Sequence, residues 1–167
     1  MDTRFAIAAA IVSAASSLVA VPVSAQGTAT STVPVSVDLL SACSLATRPL
    51  QFGIVNRGVP TVRATTTMQV DCPVGTVYSI GIDNGLWWNV NTRRMHGNDS
   101  NGQVWYADYS LFRDPLYSLP WGSTPATMVN GLVLFPGPLT HTLYGQANPR
   151  NLRPAPYTDT VTVTLNF

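Results

Sequence analysis

Apolar and polar residues alternate with period two through most of the chain beyond its first 25 residues. From Ala29 the odd positions read Ala29, Ser31, Val33, Val35, Val37 and Leu39, and the even ones are mostly polar. Pro34 falls among the even ones, where it cannot donate a ladder hydrogen bond, so this segment reads as an edge or terminal strand. Leu50 to Ile54 predicts a short strand ended by Asn56-Arg57-Gly58. In the next strand Val62, Ala64, Thr66, Met68, Val70 and Cys72 form one face, and Arg63, Thr65, Thr67, Gln69 and Asp71 the other. After the Pro73-Val74-Gly75 turn, Tyr78, Ile80 and Ile82 line the buried face of another strand.

The middle is less regular. Asp83-Asn84-Gly85 and Gly97 to Gly102 are turn-rich, with Trp87, Trp88 and the polar run Asn89 to His96 between them. Val104 to Phe112 predicts a strand packing through Tyr106, Leu111 and Phe112. Met128 to Phe135 and Leu139 to Gly145 predict two more across Pro136-Gly137-Pro138, and Asn148 to Pro156 is a Pro-rich connection. The last strand carries Tyr157, Val161, Val163, Leu165 and Phe167 on one face and Thr160, Thr162, Thr164 and Asn166 on the other. Asp159 has inward parity and breaks that pattern. Several short strands with turn signals between them indicate an all-β antiparallel sandwich. Two edges invite cover: the final strand, with no later strand to pair with it, and the first, with no hairpin partner.

Composition narrows the function classes. Of 167 residues only 10% are charged, all 9 basic ones being Arg and all 8 acidic ones Asp, for a net charge of +1. That balance gives no electrostatic case for a nucleic-acid partner. Thirteen Pro and 12 Gly argue against long helices.

The N-terminus sets the compartment. Arg4 precedes an apolar run from Ala6 to about Val21, and Val23-Ser24-Ala25 has the small residues of a signal-peptidase site. Residues 1–25 therefore read as a signal peptide and not as a membrane span. In an exported chain the even pair Cys43 and Cys72 favours a disulfide over a metal pair or a catalytic thiol. Such a bond contributes roughly 3–4 kcal/mol.

Other candidate chemistry is sparse. Arg93 and Arg94 read as a solvated strand edge, one of them paired to Asp, in preference to an anion site. Trp87, Trp88, Trp105 and Trp121 read as packing residues in preference to a sugar-stacking platform. Asp99-Ser100-Asn101-Gly102 has oxygen ligands but lacks the rest of a calcium loop, so it reads as a turn. His96 and His141 sit in no catalytic motif, there is no Gly-x-Ser-x-Gly elbow, and neither an enzyme nor a cofactor is expected.

Several motifs, in order and spacing, carry a resemblance. They are the alternating N-terminal segment, Cys43-Ser44-Leu45, Pro49 to Gly53, Val70-Asp71-Cys72 and Tyr78 to Asp83. Further along come Thr92 to Met95, Tyr109 to Asp114, Trp121-Gly122, Leu143-Tyr144-Gly145 and Tyr157 to Val163. The sequence resembles the spore coat protein U domain family, whose best-understood members are subunits of archaic (Csu-type) chaperone–usher pili. Trp87-Trp88 and the Asn148–Pro156 loop depart from the family pattern. The resemblance implies an incomplete immunoglobulin-like antiparallel β-sandwich, lacking its last strand and completed by a donor strand. After the signal peptide at 1–25, it implies a donor segment at 26–40 and a pilin domain at 41–167. Val33, Val35, Val37 and Leu39 would be the donor residues, supplying about 6–12 kcal/mol gross from alternate pockets. Tyr157, Val161, Val163, Leu165 and Phe167 would form the acceptor-groove edge. The implied partners are a periplasmic pilus chaperone, an outer-membrane usher and neighbouring pilin subunits, in a cell-surface fibre that supports attachment and biofilm formation. The alternative is a secreted monomeric coat or adhesin domain that binds a surface glycan.

Overall fold

The structure, a computed structural model, describes residues 31–37, 43–56 and 58–167. The chain divides into two compact units, Met1–Asp38 and Leu39–Phe167. In the first, residues 31–37 form neither helix nor strand, and Val33, Val35 and Val37 are exposed. The expected signal peptide and Leu39 lie outside the described residues.

The second unit holds β1 (Ser44–Thr47), β2 (Val62–Asp71), β3 (Val77–Ile82), β4 (Arg93–Asn98), β5 (Val104–Phe112), β6 (Val129–Leu132), β7 (Leu139–Ala147) and β8 (Val163–Asn166). They form a five-stranded sheet, β1-β2-β7-β5-β4, and a three-stranded sheet, β6-β3-β8. Every pairing is antiparallel. No helix occurs among the described residues. The fold is therefore the expected all-β antiparallel sandwich, with its core between the sheets. Met68, Val70 and Cys72 enter that core from β2 and its end, facing Tyr78, Ile80 and Ile82 of β3. Trp121 is 1% exposed and donates its indole N–H to the Ile80 carbonyl at 3.0 Å.

Four expectations need correction. β4 runs from the polar stretch into the expected Gly97–Gly102 turn and has no alternation of apolar residues to betray it; its register against β5 forms it. In β5 the inward residues are Ala107, Tyr109 and Leu111, while Tyr106 and Phe112 share the opposite parity and lie on the outer face. Leu50–Ile54 is not a strand. Gly53 takes φ +74°, and Leu50 and Phe52 instead turn inward over Gly145, where a side chain would meet them.

The fourth correction concerns the final segment, which is not one strand from Tyr157 to Phe167. Thr158 bridges His96 of β4 in the larger sheet, and only Val163–Asn166 pairs with β3 in the smaller one. The segment thus crosses from one sheet to the other, as strands do at sandwich corners. Parity survives the crossing: Tyr157, Asp159, Val161, Val163 and Leu165 are half-buried, while Phe167 is exposed.

Candidate functional site

Three strands cannot cover five. The smaller sheet ends at β8, whose outer edge has no partner among the described residues. Beside that edge the inner face of the larger sheet stays open as a cleft of about 1150 Å³. Met68, Met95, Ala107, Leu111, Leu143 and Ala147 contribute its floor. Residues 47–56 make one wall, and residues 154–161 with Val163 make the other.

Part of each wall has main-chain groups left free. Among the described residues, Leu50 to Val55 make no backbone hydrogen bond, and neither do Asp159 to Val161. Free N–H and C=O groups flanking an apolar trough are the two components that an added β-strand requires: ladder partners at its edges and pockets for alternate side chains. Val161 and Val163, both half-buried, are branched aliphatic residues of this wall that line the cleft.

A polar cluster fixes the wall at its Asp159 end. Asp159 accepts the Tyr109 hydroxyl at 2.6 Å and the Leu86 N–H at 3.0 Å, which accounts for a carboxylate at an inward position. Gly85, at φ +79°, lets the chain pass close to that carboxylate, because a Cβ there would collide with it. Burial, then the hydrogen bond to Asp159, raises the Tyr109 phenol far above its ordinary value and keeps it a donor. Arg93 donates to the carbonyls of Asp83 at 2.7 Å, Trp121 at 3.0 Å and Ile82 at 3.1 Å. Burial lowers the Arg93 pKa, and the nearby Tyr109, Asp83 and Asp159 oppose that shift. Burial also pushes the Asp83 carboxyl up, but the N–H groups of Thr162 and Gly85 outweigh it and hold the group below its usual range.

Arg93 is therefore neither a solvated edge residue nor an ion-pair partner: it ties β3 to the Trp121 loop. Arg94 lies over the Tyr106 ring at 4.2 Å, and no side-chain ion pair forms among the described residues. The four Trp residues do not assemble into a platform. Trp121 is in the core, the Trp105 indole binds Asp99 at 3.1 Å, Trp87 stacks on His96 at 4.3 Å, and Trp88 is exposed. Asp99 spends its oxygens on Asn101, Gln103 and Trp105, closing a turn. Among the described residues no cluster of metal-ligating side chains occurs.

Cys43 and Cys72 are joined in a disulfide. Of the expected acceptor-edge residues, Tyr157, Val161 and Val163 line the cleft, whereas Leu165 and Phe167 lie on or just past β8 beyond it. Sequence reasoning missed the opposite wall, Leu50 to Val55, and the floor residues Met95 and Ala107. Gly145 was the available signal: a glycine at an inward position of a strand marks a close approach.

A search among curated proteins returns no match. Among solved structures, one similar chain comes from the crystal structure of the CsuC–CsuE chaperone–tip adhesion subunit pre-assembly complex, from archaic chaperone–usher Csu pili of Acinetobacter baumannii. The TM-score is 0.52 at 21% identity, over 75% of this chain and 40% of that one. The likeness is one of immunoglobulin-like fold, and the present chain spans well under half the length of that neighbour. The model of the Spore Coat Protein U domain matches residues 29–164. With most of its length inside that match, the chain belongs to the spore coat protein U domain family.

Proposed function

We propose that the protein is a structural, non-enzymatic subunit of a chaperone–usher pilus, exported through the periplasm to the cell surface, and that it polymerises by donor-strand exchange. The observation that carries this reading is the open cleft beside the unpartnered edge of β8. The same chain supplies a segment suited to fill it. Val33, Val35 and Val37 are exposed and alternate with Pro34 and Ser36. Their transfer into the cleft of another subunit would contribute about 5–9 kcal/mol gross. The free main-chain groups of Asp159 to Val161 and of β8 would fix the register. Because every pairing in both sheets is antiparallel, and that mode is the more stable per residue, the donor runs antiparallel to β8. A donor of one subunit in the cleft of the next is a heterologous contact that propagates. A periplasmic chaperone fills the cleft first, an outer-membrane usher exports the product, and the fibre serves surface attachment and biofilm formation.

The test is deletion of residues 27–37. The truncated subunit should still form a complex with its chaperone and should no longer polymerise. Fibres from that truncated chain would refute donation by this segment. Size exclusion of the full-length processed protein adds a second check: a stable, soluble monomer without a chaperone would favour a coat or adhesin domain instead.

A further inference from the structure

β3 spans the smaller sheet, and exposed apolar residues gather at both of its ends. Beyond Ile82 lies the first pole, where Leu86 is 72% exposed, Trp88 46% and Val90 72%. Val90 has φ +53° in the tight turn closed by the hydrogen bonds between Asn89 and Thr92, a conformation that β-branched residues rarely adopt. Before Val77 lies the second pole. The Pro73-Val74-Gly75 turn is hydrogen-bonded there to Val133, and Val74 is 57%, Leu134 63% and Phe135 75% exposed. Cys43 belongs to this second pole through its disulfide to Cys72.

Covalent connection brings these poles together in a polymer. With the donor antiparallel to β8, its Leu39 end emerges at the Asp159 end of the acceptor cleft. The Leu86 N–H is bonded to Asp159, so the first pole borders that exit. From Leu39 to Cys43 are four residue steps, which reach at most about 14 Å when extended. The donor's second pole is thereby confined next to the acceptor's first.

We infer that the Leu86–Val90 turn of each subunit docks against the Val74 and Leu134–Phe135 pole of the subunit that donates its strand, a second contact that sets the angle between neighbours. The occupant is another copy of this chain, and the inference rests on the donor-strand reading. Apolar residues at both poles then find cover in each other, and the contact between them adds to the strand contact without competing with it.

A photo-crosslinking residue substituted for Trp88 in the full chain, polymerised through its chaperone and usher, tests the contact. Crosslinks should map to Val74 or to Leu134–Phe135 of the adjacent subunit. A mutant cycle adds a second readout. Trp88→Ser and Phe135→Ser should each speed dissociation of fibres in detergent by roughly tenfold, as expected for the loss of one aromatic contact. The double variant should be no faster than either single one. Fibres that form normally but crosslink elsewhere, or show additive effects, overturn the pole contact alone. Failure of the unmodified chain to polymerise, or polymerisation without residues 27–37, overturns the donor-strand reading and this contact with it.

Discussion

Arg93 donates hydrogen bonds to the carbonyls of Ile82 and Asp83, at and just past the end of β3, and of Trp121 in the connection between β5 and β6. Methionine fills similar space but offers no donor. Arg93→Met should therefore destabilise the domain by about 2–4 kcal/mol, the cost of leaving charge-assisted bonds unmade. Urea unfolding of the domain with its cleft filled by the donor peptide measures this. His141 presents a different case. Its ring nitrogen meets the Tyr78 hydroxyl at 2.9 Å, joining β7 of one sheet to β3 of the other, and burial lowers its pKa. The folded state thus prefers the neutral ring. That contribution is complete above the unfolded value near pH 6.5 and is lost as pH falls through the lower folded value. Thermal melting should show a decline beginning below about pH 6.5 that is flattened in His141→Gln.

Strands β2 and β3 were legible because each has one face against the core and a distinguishable face outside. β7 has the same property, and Gly145 within it supports the Leu50 side of the cleft. Gly145→Ala would press a methyl group against the Leu50 side chain, displacing that wall. An overpacking cost of about 1–3 kcal/mol is expected, together with slower uptake of the donor peptide followed by fluorescence. β4 was not legible, since its stability comes from main-chain pairing with β5 and from Arg93, neither of which leaves an apolar period. The final segment misled for the opposite reason. Its alternation is regular from Tyr157 onward, yet alternation reports which side faces inward and not which sheet supplies the partner. Leu50 to Ile54 likewise has apolar residues at strand spacing, but Gly53 interrupts the extended path. The cleft depended on all three of these features, so its existence followed from the family resemblance and its walls only from the structure.

At the scale of the molecule, the disulfide joins β1 to the end of β2, closing a separation of 29 residues. A Cys43→Ser and Cys72→Ser pair should lose roughly 3–4 kcal/mol by the chain-entropy estimate, read as a lower urea midpoint for the peptide-filled domain. The effect should vanish when the unsubstituted protein is compared under reducing conditions. Five strands facing three is an imbalance confined to one side of the molecule. A string assembled by the proposed exchange consequently has a head and a foot that differ chemically. One terminus shows a vacant slot and the other a loose tail, so the two cannot grow by the same event. Whatever plugs the slot of the leading molecule decides whether a growing string stays single or is annexed by its neighbours.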